Sequence, residues 1–164
     1  MVNIRQLVIA GLAALSLLAS NFAEPAAAAE NTSKVADGVY SYAPGDGYTS
    51  MFVVTSEGVI AVEPVNTQHA KGMLKAIRSV TDKPVRYLLH THNHWDHSRG
   101  GRIFRDVGAK ILAHQEAFAW MKGNPHPDMV LPDEGWSGKR KDITLGDTTL
   151  EMHYIGMIHG LGMT

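Results

Sequence analysis

The chain has 164 residues, 45% of them hydrophobic, with 15 basic and 16 acidic side chains for a formal net charge of −1. That length suits one domain, and the charge balance argues against a nucleic-acid partner; the short run Lys139-Arg140-Lys141 reads as an exposed loop patch. With no cysteine present, disulfides, thiolate nucleophiles and cysteine metal ligands are excluded, so histidine and carboxylate must carry any chemistry.

The first 29 residues read as an export signal. Arg5 supplies a positive start, Leu7 to Ala19 is an apolar run of 13 residues, and Ala27-Ala28-Ala29 offers a small-residue cleavage site, with cleavage expected after Ala29. A membrane-spanning helix needs about 20 apolar residues, so this run is too short for a stable span. The expected location is therefore secreted or periplasmic, with residues 30–164 forming the mature domain.

Glu30 to Lys34 reads as a polar tether, and Val39 to Tyr42 as a first short strand ended by Pro44-Gly45-Asp46-Gly47. Tyr48 to Thr55 and Val59 to Glu63 are rich in β-branched and aromatic residues and flank Ser56-Glu57-Gly58, which predicts an antiparallel hairpin. Asn66 can cap a helix whose apolar positions Ala70, Met73, Leu74, Ile77 and Val80 recur at helical spacing. Pro84 stops that helix, and Val85 to Leu89 comes next as a short buried strand.

Beyond it, a helix is expected over Ser98 to Asp106, a strand over Lys110 to Ala113 and a helix around Gln115 to Met121. Asn124 to Gly138, rich in Pro, Gly and charge, reads as an irregular surface loop. A last hairpin is expected from Asp142–Leu145 and Thr148–Tyr154 around Gly146-Asp147.

Between the Val85 strand and the next helix lies His92-Asn93-His94-Trp95-Asp96-His97. Imidazole nitrogen and carboxylate oxygen are both ordinary zinc donors, and alternate side chains of an extended segment point the same way, so His92, His94 and Asp96 can converge. His97 reaches a neighbouring position as the chain turns, which permits one metal or two adjacent ones.

The spacing of His92, His94, Asp96 and His97 resembles the His-x-His-x-Asp-His hallmark of the metallo-β-lactamase superfamily. Gly156-Met157-Ile158-His159-Gly160-Leu161-Gly162 is similar to that family's later glycine-flanked histidine segment. The resemblance implies an α/β (α+β) fold, the αββα sandwich, with the metals at one edge. It further implies that His92, His94 and His159 hold one zinc, that Asp96 and His97 contribute to a second, and that Asp96 orients the attacking water.

The implied activity is zinc-dependent hydrolysis of a small-molecule ester, thioester, amide or β-lactam by metal-bound hydroxide. The alternative is a noncatalytic metal-binding fragment or interaction module. The sequence stops a few residues after His159, so the resemblance further implies an amino-terminal part of the family architecture, with the second half incomplete and a second zinc only if other ligands are supplied.

Glu63-Pro64 stands where the family often has an aspartate-led turn, and Glu63 is expected to have no catalytic role. His90, outside the motif register, is expected at a strand end or behind a ligand. His69, His114, His126 and His153 are expected at the surface or in local hydrogen bonds, and Gly100 and Gly101 are expected to serve close backbone packing. Trp95 could wall the site or anchor the loop beneath it. Trp136 is expected to pack onto the domain, and Tyr154 and Ile155 to belong to a core strand.

Overall fold

A computed structural model describes residues 30–162 and 164. The expected signal segment, residues 1–29, lies outside the described residues. Among the described residues, nine strands and four helices run in the order β1 (Thr32–Ala36), β2 (Val39–Tyr42), β3 (Ser50–Val54), β4 (Val59–Val62), α1 (Thr67–Val80), β5 (Val85–Leu89), α2 (Trp95–Ser98), α3 (Gly101–Arg105), β6 (Lys110–His114), α4 (Gln115–Gly123), β7 (Glu134–Trp136), β8 (Arg140–Leu145) and β9 (Thr148–His153).

Strands β1 to β7 form one sheet in sequence order, and β8 pairs with β9 in a second. The first four strands are antiparallel, while β4, β5, β6 and β7 run parallel. Side chains alternate across each strand, so the sheet has two apolar faces. Phe52, Ala61, Leu88 and Ile111 pack with Met73 and Ile77 of α1 and Phe104 of α3. Val53, Ile60, Leu89 and Leu112 pack on the other side with Ile143, Leu145 and Met152 of the β8–β9 hairpin. The order from one side is helix, sheet, sheet.

Helix α1 starts as its sequence predicts. Asn66 is extended, and its side-chain oxygen accepts from the amides of Gln68 and His69, both at 3.0 Å. These bonds satisfy two of the donors that a helix start leaves open.

Three expected elements differ. The polar tether expected over 30–34 runs into a strand from Thr32: β1 is an edge strand with four of its five residues exposed, so backbone pairing to β2 creates it and no apolar pattern announces it. The expected irregular loop over 124–138 contains β7, a three-residue strand held by parallel pairing to β6. The helix expected over 98–106 is confined to α3 at 101–105, and a separate short helix, α2, ends at Ser98 within the motif; Gly100, at φ +78°, separates the two. A side chain at Gly100 would collide with the backbone of Asn66, so this glycine lets the motif segment press against the start of α1, as close packing predicts.

Candidate metal centre

The carboxyl ends of β4 and β5 lie side by side, with Val62 opposite Leu89, and the segments leaving these two strands build the site. After β5 come His90, Thr91 and the motif; after β4 comes the turn Glu63-Pro64-Val65. Glu63 and Val65 take φ values of +65° and +60°, a left-handed conformation that costs non-glycine residues roughly 1–3 kcal/mol each. The amide of Val65 donates to the carbonyl of His97 at 3.3 Å, and that of Glu63 to Leu89 at 3.0 Å, tying the strained turn to the motif.

The Glu63 side chain is buried and fully used. Its Oε1 accepts from the Thr91 amide (2.8 Å) and the Thr91 hydroxyl (2.6 Å), and its Oε2 lies 2.6 Å from His97 Nδ1. Because Thr91 Oγ1 donates to Glu63, its contact at 3.0 Å with His92 Nδ1 must be one in which the imidazole donates. One carboxylate thus sets both rings: His92 and His97 carry their protons on Nδ1 and keep the Nε2 lone pairs for something else. Such outer partners fix the tautomer of metal-binding histidines.

His92 Nε2 is buried and makes no hydrogen bond among the described residues. Ligand atoms of His92, His94 and His159 all lie within 4.8 Å of one another. Ring centroids confirm the cluster, at 4.8 Å for His92–His94, 4.6 Å for His94–His159 and 5.7 Å for His92–His159. An orphaned buried imidazole nitrogen facing two other imidazoles is costly unless a cation or a donor fills the space, so the three residues fit a metal ion.

The loop that delivers His159 is pinned by Asn93, whose Oδ1 accepts from the Leu161 amide at 2.6 Å. Gly160 lets it come close: a Cβ there would sit 2.8 Å from both Asn93 Oδ1 and His92 Cδ2.

Asp96 and His97 form a second, looser pair. Asp96 Oδ2 is 3.6 Å from His97 Nε2 and accepts from the Tyr48 hydroxyl at 3.1 Å. Among the described residues, Asp96 joins neither candidate metal group; the other one combines Glu63, His92 and His97, where Glu63 is already occupied as a hydrogen-bond acceptor.

Protonation is set by these contacts. Burial and the neighbouring imidazoles outweigh the attraction of Glu63 and push the His92 pKa down, keeping that ring neutral. The hydrogen bond to Glu63 pushes His97 up against its partial burial. Burial opposes ionisation of Glu63, yet the bonds from His97 and Thr91 overcome it and hold its pKa below the usual carboxylate value. Asp96 behaves alike: desolvation is outweighed by Tyr48, its own backbone amide and the adjacent histidines.

All five expected ligands, His92, His94, Asp96, His97 and His159, stand at this one end of the sheet. Glu63, expected to have no catalytic role, is part of the site as the residue that orients His92 and His97. No local sequence signal marks that role, because it depends on the parallel pairing of β4 with β5.

His90 is wholly buried and unpartnered at both ring nitrogens among the described residues, so it does not orient a ligand by hydrogen bonding. Desolvation lowers its pKa to about 4. His69 and His114 are buried and hydrogen-bonded, the second of the two settings expected for them: His69 lies 2.8 Å from both Ser50 Oγ and Asp46 Oδ2, and His114 Nδ1 accepts from the Glu116 amide while its ring stacks on Tyr154. His126 and His153 make local contacts with the Asp128 amide and Glu151, as expected.

Trp136 packs in the core, while Tyr154 and Ile155 lie outside any strand, against expectation, with Tyr154 partly buried against the core and Ile155 54% exposed. The basic run is engaged in ion pairs: Arg140 with Asp142 and Glu151, and Lys141 with Glu134.

Comparison with known proteins identifies the family. The family model described as "Metallo-beta-lactamase superfamily" matches residues 43–163. The chain belongs to the metallo-β-lactamase superfamily.

It is 32% identical over 133 residues to the 2,4-dinitroanisole O-demethylase subunit alpha of Nocardioides sp. (strain JS1661), covering 79% of this chain and 38% of that protein. Among solved structures, a subclass B3 metallo-beta-lactamase of Bradyrhizobium japonicum superposes with a TM-score of 0.67 at 24% identity, covering 85% of this chain and 56% of that one. A class B3 di-zinc metallo-beta-lactamase from an Alaskan soil metagenome gives 0.71 at 22% identity, covering 82% and 55%. The mixed α+β fold is therefore the expected one, and the chain spans about two fifths to a little over half of these relatives.

Proposed function

We propose that this chain carries the metal-binding part of an exported zinc-dependent hydrolase acting on a small molecule. The observation that supports the reading most directly is the buried, unpartnered Nε2 of His92, facing His94 and His159 with its tautomer set through Thr91 and Glu63. His92, His94 and His159 would hold one zinc; Asp96 and His97 would contribute to a second. Bound there, zinc supplies Lewis acidity and brings the pKa of a coordinated water toward neutrality.

The chain's own residues add orientation and charge. Asp96, ionised and fixed by the Tyr48 hydroxyl, is placed to accept a hydrogen bond from a nucleophilic water beside His94. His97, tied to Glu63, presents Nε2 to the same space. Ester, thioester, amide and β-lactam substrates all suit this chemistry. The Nocardioides relative, by its name an O-demethylase of an aryl methyl ether, adds cleavage of an ether carbon–oxygen bond to the range worth testing.

A second reading, a noncatalytic zinc-binding module, is favoured by the absence of Asp96 from either candidate metal group among the described residues. Hydrolysis of an ester, thioester and β-lactam panel by the zinc-loaded protein decides between them. Asp96→Asn should cut kcat at least 100-fold while leaving the fold intact by circular dichroism; unchanged turnover would remove Asp96 from the reaction, and zinc uptake without hydrolysis of any substrate would establish the second reading.

A further inference from the structure

Beside the histidine cluster lies a cavity of about 410 Å3 lined by His94, Trp95, Asp96, Arg99, Trp120 and His126. This volume falls in the range of about 300–1,000 Å3 usual for small-ligand sites. Its wall is aromatic. Trp95 meets Trp120 at 5.7 Å with the rings tilted by 56°, and His126 at 5.8 Å with a tilt of 48°. Tilted rings at these separations leave indole face open, and Trp95 is 44% exposed, an unusual state for so large an apolar ring on a folded domain.

The exposure is not looseness. Trp95 Nε1 donates to the carbonyl of Asn124 at 3.1 Å, which fixes the ring, and Arg99 Nε donates to the carbonyl of Trp95 at 3.0 Å. That single bond orients the guanidinium and leaves its two terminal nitrogens without partners among the described residues. A planar fork of donors beside a fixed aromatic wall matches a planar ligand with two acceptor oxygens.

We infer that this cavity is a substrate subsite for an aromatic ring bearing a carboxylate or nitro group, the ring against Trp95 and Trp120 and the substituent oxygens on Arg99. The inference rests on the metallohydrolase reading for the word substrate, since His94 and Asp96 are shared by the cavity and the metal centre. Aryl stacking supplies apolar contact next to the reacting bond, and Arg99 supplies direction.

The protein carries a built-in control, because it has three tryptophans and the third, Trp136, is buried on β7. Titration with 2-naphthoate followed by the indole N–H resonances should shift Trp95 and Trp120 and leave Trp136 in place. Cyclohexanecarboxylate, with the same charge and no ring current or stacking face, should leave all three unmoved. Arg99→Gln should weaken naphthoate binding at least fivefold, with Arg99→Lys intermediate, at unchanged zinc content.

An equal response to cyclohexanecarboxylate, equal movement of Trp136, or undiminished affinity in Arg99→Gln would overturn the subsite. Zinc uptake on the same samples keeps the two ideas apart: normal uptake with silent Trp95 and Trp120 rejects the subsite alone, whereas absent uptake with the Trp95 and Trp120 response intact upholds the aryl site and rejects the metallohydrolase reading.

Discussion

Replacing Glu63 by glutamine changes one atom and should change the metal chemistry through a single ring, that of His97, which lies 2.6 Å from Glu63 Oε2. The carboxylate accepts three hydrogen bonds, two from Thr91 at 2.8 and 2.6 Å and one from His97 at 2.6 Å. Glutamine has one oxygen and one NH2 group to offer. Turning the NH2 toward Thr91 would set it against the Thr91 amide, donor against donor, at about 1–3 kcal/mol for a buried group left unsatisfied, and would force the Thr91 hydroxyl to turn its proton away from Glu63. The amide oxygen therefore stays on Thr91, the His92 tautomer survives, and the NH2 faces His97 Nδ1.

His97 must then accept at Nδ1 and carry its proton on Nε2, the nitrogen that points toward Asp96. Loss of such an outer partner typically weakens metal binding about 10–100-fold, or about 1.4–2.8 kcal/mol. Zinc competition against a chromophoric chelator should show that loss for any ion held through His97, with uptake at the three-histidine group within about twofold of the parent. Imidazole nitrogen NMR of the metal-free protein at mildly alkaline pH should show His97 switching from Nδ1–H to Nε2–H. An unswitched His97 together with unchanged zinc affinity would refute the assignment of Glu63 as the orienting residue.

Three further outcomes test the rest of the site. Alanine at His92 or at His159, made separately, should each reduce zinc affinity at least 100-fold; unchanged affinity in either would remove that residue from the shell. Asn93→Ala frees the Leu161 amide and with it the His159 segment, a loss of about 1 kcal/mol or roughly fivefold in zinc affinity, and equal affinity would mean the loop is held otherwise. His90→Leu bears on pH. The native ring has a pKa of about 4 against 6.5 when solvated, so between these values the unfolded chain binds the extra proton. The native contribution is complete above about pH 6.5 and falls away toward pH 4, by roughly 3 kcal/mol in all. The leucine variant should lose that part of the slope in urea titrations of the metal-free protein; an undiminished slope would clear His90 of the effect.

The short run of residues 92–97 displayed its metal-binding character because its donors lie within one segment, where local geometry alone brings them together. The Asn66 cap, the apolar stripe of α1 and the strands flanking Ser56-Glu57-Gly58 were equally legible, being short-range patterns of polarity and turn chemistry. The polar β1 and the three-residue β7 were not, since each exists by pairing with a neighbour strand.

Glu63 was invisible for a related reason. It lies 28 residues before Thr91, and only the parallel pairing of β4 with β5, Val62 beside Leu89, carries its carboxylate under the motif. Sequence determined which atoms could bind a metal. Tertiary structure decided which nitrogen of His92 and His97 is free to do so, how Asn93 and Gly160 admit His159, and which distant aromatic residues, Trp120 and His126, stand beside Trp95, because these depend on contacts between segments that no local pattern encodes.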